Sequence, residues 1–361
     1  MRALLLTLSI AAAGMHCSGA ATACAETDAG CDLLTLYLAT YAPLIVGAGQ
    51  IAGPPNVCGV VLTSGANYWP SAQTISGCLD LLGAAIGPGK IVVGGRTTTE
   101  CALYATTDGG TWSANGCPGA GASSISEVAY GNGIFVAVGD DGASAPLILT
   151  SSDGYTWTTA PNGSATQIIR TVNFINGYFY MGEGGGGAGN LHRSVNPSTV
   201  TIAALNGTNI GGGFRYHDVI AAAGGGVLAI TDQNGTRYAA DGVNFSTGTI
   251  FSTAPAGERP QGVATNGALN VAVGGEIGGT ESCYVSVSSD GLNWGNEGIM
   301  ASACAGNSGI AYDVIYGSGE YIATSSTTTG FLMRSSSGLP GSWSAVDIGL
   351  TVIRSLEFRE R

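Results

Sequence analysis

The sequence predicts an all-β fold, a seven-bladed β-propeller with four strands in each blade. Two observations predict it: a glycine-rich composition with few charges, and an internal repeat of about 46 residues. Glycine accounts for 60 of the 361 residues, and charged residues for only 10%. Glycine is a poor helix former, so this composition excludes a long helical protein or a coiled coil. Hydrophobic residues make up 45% of the chain, which excludes intrinsic disorder.

The repeat is a short motif that ends in an aromatic residue. Its clearest copies are residues 106–112, 151–157, 239–245 and 288–294, and degenerate copies are residues 63–69, 194–200 and 335–343. Each clear copy has Asp-Gly at its centre, which is a strong hairpin signal because the turn requires a positive φ. All five tryptophans stand at the last position of a copy. The motif therefore predicts a hairpin that returns once in every blade.

A second module precedes the hairpins and consists of an apolar strand, a glycine-containing turn and another apolar strand. Copies are residues 128–139, 172–182, 219–230, 263–274 and 314–323. Together with the hairpin, each period holds four short strands, which is the composition of one propeller blade.

The two ends of the chain predict how the first blade is completed. Residues 353–358 match the first strand of a blade, and residues 43–47 match a second strand that has no first strand before it. The C-terminal strand is therefore predicted to join the first blade, which would remove open sheet edges.

The hairpin copies resemble the Asp-box of BNR-type β-propellers, the sialidase-like superfamily that also includes many exported bacterial proteins. The likeness covers residues 43–361 and rests on the repeat alone. The Asp-box usually has one residue between Asp and Gly, whereas here they are adjacent. In that family the box is a structural turn at the outer rim. The resemblance therefore implies a structural role for Asp108, Asp153, Asp241 and Asp290.

The N-terminus is typical of a signal peptide, here residues 1–23, because Arg2 precedes a short apolar run and then small residues. Three processing routes remain open: lipidation at Cys17, cleavage after Ala23, or lipidation at Cys24. Residues 24–42 then form a short cysteine-containing segment, and residues 43–361 the propeller. We expect an exported protein. It is either held in the cell envelope by a lipid anchor or released into the periplasm or the medium, and contact with the membrane is expected only through that anchor.

The cysteines favour the same compartment. Six of the nine bracket copies of the repeat, and two more lie close together near the N-terminus. The expected disulfides are Cys58–Cys78, Cys101–Cys117, Cys283–Cys304 and Cys24–Cys31. Cys17 is left over, which suits lipidation or removal with the signal. Disulfides persist in oxidising compartments, whereas the alternative interpretation is that these cysteines are free and buried.

Charge limits the partners. The net charge is −12, and Lys90 is the single lysine. A nucleic-acid partner is excluded, because binding a phosphate backbone needs clustered lysine and arginine. The chain has three histidines, of which His16 lies in the signal region, so no metal site and no cofactor are expected.

One ligand site is predicted from the alignment of the first strands. Propeller symmetry brings the residues before each first strand together at the mouth of the central channel, where they are Arg170, His217, Asp218, Asp313 and Arg354. Concave sites with converging polar groups are the usual ligand sites. The alternative is that short polar residues at these positions cap the backbone of the neighbouring blade.

The leading functional hypothesis is a non-catalytic, monomeric binding or scaffold module at the cell envelope, with an unknown protein or glycan ligand. The alternatives are a sialidase-like glycoside hydrolase and a surface adhesin. Three arginines and a tyrosine in the channel mouth would favour the hydrolase, although the Arg-Ile-Pro segment usual in sialidases is absent. A large exposed apolar patch would favour the adhesin.

Overall fold

The computed structural model describes the chain in separate ranges. They are residues 44–50, 57–63, 73–118, 123–232, 235–251, 258–276, 283–301, 310–324, 330–350 and 352–359. The signal-like segment, Cys17, the predicted Cys24–Cys31 pair and most of the repeat copy at 63–69 lie outside the described residues. Within these ranges, no helix has the length and apolarity needed to cross a membrane.

Short β-strands dominate the described residues, and they assemble into four-stranded antiparallel sheets. The first sheet contains β1 (Leu44–Gln50), β2 (Val57–Thr63) and β3 (Gln73–Ser76). The second contains β4 (Asp80–Gly87), β5 (Lys90–Arg96), β6 (Cys101–Thr106) and β7 (Ser113–Asn115). The third contains β8 (Ser124–Gly131), β9 (Ile134–Asp140), β10 (Pro146–Ser151) and β11 (Thr158–Thr159).

The remaining sheets follow the same order along the chain. The fourth contains β12 (Ile169–Ile175), β13 (Tyr178–Glu183), β14 (Leu191–Ser194) and β15 (Ala203–Ala204). The fifth contains β16 (Tyr216–Ala221), β17 (Val227–Thr231), β18 (Gly235–Ala239) and β19 (Ser246–Thr249). The sixth contains β20 (Glu258–Thr265), β21 (Asn270–Glu276), β22 (Cys283–Ser288) and β23 (Gly295–Ile299). The seventh contains β24 (Val314–Gly317), β25 (Glu320–Thr324), β26 (Gly330–Ser335) and β27 (Ser344–Leu350).

The last strand, β28 (Val352–Arg359), returns to the first sheet and lies against β1. The antiparallel register pairs Ile45 with Phe358 and Gly47 with Leu356. The Leu356 amide also donates to Asp313 Oδ2 at 2.7 Å, immediately before β24 of the seventh sheet. The C-terminal strand is thus held by the first sheet and by the seventh.

The turns between first and second strands explain part of the glycine content. In the β8–β9 turn, Asn132 and Gly133 have φ values of 47° and 80°. Asn176 and Gly177 in the β12–β13 turn have φ values of 50° and 86°. Two consecutive positive φ values define the type I′ turn, whose twist matches that of the flanking strands.

The Asp-Gly hairpins are held by their own side chains. Asp153 Oδ1 accepts from the amides of Tyr155 and Thr156 at 2.8 and 2.7 Å, and Ser151 Oγ accepts from the Gly154 amide at 2.8 Å. These hydrogen bonds lower the pKa of Asp153 to about 2. Equivalent amide acceptors are Asp108, Asp241 and Asp290. All four acids therefore act as turn acceptors.

The tip of the Asp153 hairpin also rests on the preceding sheet. A Cβ on Gly154 would lie 3.0 Å from Val92 Cγ2 in β5, so the backbone there approaches closely. Lys90 Nζ donates to the Asp153 carbonyl at 2.6 Å and lies 4.8 Å from the centre of the Tyr155 ring. Trp157 is buried in an apolar cluster shared by the second and third sheets. The single lysine of the chain thus joins two neighbouring sheets.

Two predicted disulfides are confirmed. Cys58–Cys78 and Cys101–Cys117 have Cα–Cα distances of 5.6 and 5.8 Å, within the usual range of about 4.4–6.8 Å. Cys283 is also disulfide-bonded, but its predicted partner, Cys304, lies outside the described residues. Each confirmed bridge joins the third strand of a sheet to the segment after the fourth, where the edge strand is short.

Deleting residues 352–361 should lower the thermal midpoint by at least about 5 °C, because β1 loses its partner strand and Asp313 loses the Leu356 amide. Differential scanning calorimetry measures this. Deleting residues 360–361 alone leaves β28 whole and is the control. Equal midpoints for the two truncations would show that β28 contributes nothing to stability.

Replacing Asp153 by Ala should destabilise the protein by about 1 kcal/mol at pH 7, because two turn amides lose a charged acceptor. A carboxyl with a depressed pKa stabilises the fold above its ordinary pKa and loses that contribution as the pH falls toward 2. Urea unfolding should therefore show a clearly smaller deficit of Asp153→Ala at pH 2, where half of the carboxyl is protonated, than at pH 7. The matched control, Glu100→Ala, removes an exposed acid that lies outside the hairpins; an equal deficit in both variants would contradict the turn role.

Candidate functional site

A cavity of about 320 Å³ opens where the first strands of the sheets converge. Its lining includes side chains from every first strand, β4, β8, β12, β16, β20, β24 and β28, or from the residues just before them. All five residues of the predicted site line it: Arg170, His217, Asp218, Asp313 and Arg354. The repeat thus brings residues that are far apart in sequence to one cavity.

Two of these residues also connect neighbouring sheets. Asp218 accepts from the Val219 amide at 2.7 Å and from the Val263 amide of β20 at 3.0 Å. Asp313 accepts from the amides of Val314 and Leu356 at 2.7 Å each. Each carboxyl therefore holds the first strand of its own sheet to that of the next. For these two residues the geometry favours the backbone-capping interpretation.

Two glutamates also line the cavity. Glu127 and Glu357 line both this cavity and a smaller one of about 50 Å³ beyond it. Glu127 stands on β8 at the position that Asp218 has on β16, but its side chain is longer. Glu357 follows Leu356 on β28. The two cavities therefore share these glutamates.

The four carboxyls disfavour one another's charge. Burial raises the pKa of Asp218 to about 6, against the hydrogen bonds from its two amides. Burial and the Asp218 charge raise the pKa of Glu357 to about 8 and that of Asp313 well above its usual range. Burial and the charges of Asp218 and Asp313 also raise the pKa of Glu127 well above its usual range. Glu357, with its pKa of about 8, is therefore mostly protonated near neutral pH.

Arg215 and His217, which line the cavity, share one buried carboxylate with Arg259, which lies outside the lining. Asp232, whose side chain is 2% exposed, lies 3.0 Å from Arg215 Nε and 3.9 Å from Arg259 Nη1, and it also contacts His217 Nε2. One carboxylate thus orients two guanidinium groups and an imidazole. Because the arginine side chains are 47% and 40% exposed, they keep surface for a ligand.

Arg170 and Arg215 meet at Gly184. Arg170 Nε donates to the Gly184 carbonyl at 3.3 Å, and a Cβ on Gly184 would lie 2.0 Å from Arg215 Cβ. Only glycine permits this approach. Burial and the nearby Arg215 charge lower the pKa of Arg170, which indicates two cations held close together.

Arg354 approaches the cavity from β28. Its guanidinium carbon lies 4.2 Å from the centre of the Tyr312 ring, which fixes the direction of the side chain. Its Nε is buried and makes no hydrogen bond to any described residue. Arg170, Arg215 and Arg354 therefore line one cavity together with Tyr312.

The sequence patterns did not single out Arg215, Arg259 or Asp232. Arg215 precedes β16, and Asp232 follows β17, so both lie just outside the strand positions that the alignment compared. A comparison of the residues that end the second strands would have found Asp232. No cluster of three or more His, Cys, Asp or Glu with the geometry of a metal site occurs among the described residues.

Comparisons with known proteins bear on the fold. No family model matches the chain, and no curated protein matches it. A solved structure described as YCF48 bound to D1 peptide has a TM-score of 0.54 and 18% identity, covering 75% of this chain and 82% of its own. A putative 6-phosphogluconolactonase from Bacteroides uniformis has a TM-score of 0.60 and 11% identity, with coverage of 88% and 99%.

A third solved structure, the WD40 β-propeller domain of Doa1, has a TM-score of 0.55 and 10% identity, covering 81% of this chain and 95% of its own. Likeness at such low identity shows the fold and not the function. The described residues thus belong to a β-propeller, as the repeat predicts.

The buried acids make stability depend on pH. The pKa of Glu357, about 8, lies above its ordinary value of about 4.3. Its contribution is therefore full below pH 4 and is lost as the pH rises to 8. Glu357→Gln, which resembles the protonated acid, should unfold at a higher urea concentration than the wild type at pH 8 but at a similar one at pH 5. The control is Glu100→Gln, which removes an exposed acid. If the difference in urea midpoint between Glu357→Gln and the wild type were the same at pH 5 and pH 8, this assignment would be refuted.

Proposed function

We propose that this chain is a binding module whose ligand presents a carboxylate to the mouth of the channel. The observation that carries the proposal is the convergence of Arg170, Arg215, His217 and Arg354 on one cavity. Guanidinium groups bind carboxylates through paired hydrogen bonds, which adds geometric specificity to the charge attraction. Asp232 neutralises only part of this positive charge.

The proposal includes a ring of seven blades that the C-terminal strand completes. Its support is the pairing of β28 with β1. It is also supported by contacts between successive first strands in the order β4, β8, β12, β16, β20, β24, β28 and again β4. The hairpin turns, held by their aspartates, support membership of the Asp-box group. Such a ring would fix the spacing between the arginines and so select the size of the ligand.

We further propose that the module is exported and acts at the cell envelope. The signal-like residues 1–23 support this, with Cys17 as the candidate lipid anchor. The two disulfides support it as well, because such bridges are rare in reducing compartments. The anchor is tested by comparing the electrophoretic mobility of the mature wild-type protein with that of Cys17→Ser. The substitution should change the mobility if Cys17 is the lipidated N-terminal residue.

Two classes of ligand could present the carboxylate. One structural neighbour is described as bound to a peptide, and a peptide C-terminus carries a carboxylate. Acidic sugars carry one as well. Large anionic polymers are disfavoured, because the chain has a net charge of −12. We favour a peptide, because the cavity is open and offers Tyr312 for apolar contact beside Arg354.

Glycoside hydrolysis of the sialidase type is the second candidate. Three arginines and two tyrosines, Tyr216 and Tyr312, line the cavity, and three arginines with a tyrosine are the combination that favours this activity. Surface adhesion has no comparable support among the described residues. Their exposed large apolar side chains, Leu79, Val195, Val200, Ile299 and Leu339, are spread over four sheets, and each is only 36–45% exposed.

Isothermal titration calorimetry of the purified chain tests the proposal with matched probes. They are a hexapeptide with a free C-terminus, the same peptide amidated, N-acetylneuraminic acid and inorganic phosphate. Replacing Arg170 and Arg354 together by Ala should weaken binding of the free-carboxylate peptide at least about 30-fold. The control is Arg334→Ala, which breaks an ion pair with Glu320 outside the cavity.

Each outcome has a separate meaning, provided that circular dichroism shows a folded double variant. Equal binding of the free and amidated peptides would overturn a carboxylate site. Binding of N-acetylneuraminic acid, with cleavage of a 4-methylumbelliferyl sialoside, would favour the hydrolase. If the double alanine variant does not fold, the double glutamine variant keeps polar side chains and repeats the test; unaltered binding by that variant would place the site elsewhere.

A further inference from the structure

His217 has one ring nitrogen held by the protein and the other left for a ligand. It is the second residue of β16 and lines the channel cavity. Its Nε2 contacts Asp232 Oδ1, and its side chain is 12% exposed. Its Nδ1 makes no hydrogen bond to any residue that the structure describes, and it is not sealed from solvent. Nδ1 is therefore the atom through which the imidazole meets a molecule in the cavity.

Asp232 is an ionised carboxylate at a fixed position. It follows β17, and its side chain is 2% exposed. Its Oδ2 accepts from Arg215 Nε at 3.0 Å, and its amide donates to the Arg215 carbonyl at 3.1 Å. Burial by itself raises the pKa of Asp232, but the contacts with His217 and Arg215 outweigh it and lower that pKa overall. The imidazole of His217 therefore faces a negative charge on its Nε2 side.

The charge on Asp232 decides which tautomer neutral His217 adopts. A carboxylate accepts but cannot donate a hydrogen bond, so the nitrogen beside it carries the proton. In the neutral ring the proton is thus on Nε2, and Nδ1 has a lone pair. A ligand carboxylate also offers only lone pairs, so the two would repel each other. In the imidazolium both nitrogens are donors, and Nδ1 can then donate to the ligand.

The charges around His217 leave a place for a second anion. Asp232 is shared with Arg215 and with Arg259, whose Nη1 lies 3.9 Å from Asp232 Oδ1. Arg170 adds a further positive charge close to Arg215. In the free protein these cations oppose a charge on the imidazole, whereas a bound carboxylate favours it. Because linkage is reciprocal, protonation of His217 and anion binding strengthen each other.

Four acids of the same cavity respond to pH in the same sense. They are Glu127, Asp218, Asp313 and Glu357. Each repels an anion less strongly when it is protonated, so these acids also weaken anion binding as the pH rises. Arginine stays charged throughout the range near neutral pH, and tyrosine stays neutral. Replacing His217 alone therefore separates its proton from those of the acids.

We propose that His217 contacts the ligand carboxylate as an imidazolium, so that the ligand enters the cavity together with one proton taken from the solvent. This coupling rests on the carboxylate-binding function proposed above and adds a sensitivity to pH. Asp232 is the positioning residue, because it holds Nε2 and leaves Nδ1 for the ligand. Since the protonated form binds better, affinity is highest at low pH and falls as the pH rises through the range in which histidine loses its proton.

Isothermal titration calorimetry at pH 5.5, 7.0 and 8.5 measures the coupling. The probe is an N-acetylated hexapeptide with a free C-terminus and no ionisable side chain, so that its own charge stays constant. For the wild type the dissociation constant should rise at least about 10-fold from pH 5.5 to pH 8.5. His217→Gln keeps a donor for Asp232 but cannot gain a proton, and its rise should be below about 3-fold. Glu357→Gln removes one of the acids, and most of the wild-type rise should persist in it.

Nitrogen NMR signals of the histidine rings give a second readout on the wild-type chain, which does not require a folded variant. At pH 7.5, before the peptide is added, His217 should show the pattern of a ring that is at least partly neutral with its proton on Nε2. Saturating peptide should move both ring nitrogens toward the imidazolium values. The signals of His192, which lies outside the cavity lining, should stay in place.

Three results would overturn the coupling while leaving a carboxylate site. They are an affinity that does not change between pH 5.5 and pH 8.5, a His217 ring whose charge is the same with and without peptide, and a pH dependence that His217→Gln retains in full. The last result would assign the proton to the channel acids. Absence of peptide binding at all three pH values would overturn the proposed function and this coupling together.

Discussion

The structure depends most on the carboxyls that join one inner strand to the next. Asp218 accepts amides from β16 and β20, and Asp313 accepts amides from β24 and β28. A sheet in this fold packs its faces against its neighbours, but apolar packing is non-directional and does not fix the height of one strand against another. Two hydrogen bonds from one carboxyl to adjacent sheets do fix it. These two bridges therefore align β16 with β20 and β24 with β28, the strands that carry Asp218 and Arg354.

The same carboxyls create an electrostatic cost that shapes the site. Four acids lie close enough in the channel to raise one another's pKa. Protonation of Glu357, whose pKa is about 8, removes part of this negative charge near neutral pH. A ligand anion in the cavity would then meet less repulsion from the acids beside the arginines. The same carboxyls therefore influence both the stability of the fold and the charge that a ligand meets in the cavity.

Much of the fold was predictable because the repeat is local. The Asp-Gly hairpins, the type I′ turns and the spacing of the tryptophans each follow from short-range rules, and they place the first strands correctly. The candidate site was predictable to the same extent: Arg170, His217, Asp218, Asp313 and Arg354 line one cavity because the repeat assigns them equivalent positions. Arg259 was not predictable as a neighbour of Asp232, because their contact depends on how neighbouring sheets lie against each other.

The central claim is that the arginines at the channel mouth form one binding surface. NMR spectra of the arginine side-chain Nε–H groups measure it directly, as a carboxylate-terminated peptide is added to the ¹⁵N-labelled protein. The account predicts that the signals of Arg170, Arg215 and Arg354 shift together along one binding curve, while those of Arg193 and Arg334, which lie outside the cavity lining, stay in place. Shifts confined to Arg193 or Arg334, or different binding curves for the three cavity arginines, would contradict it.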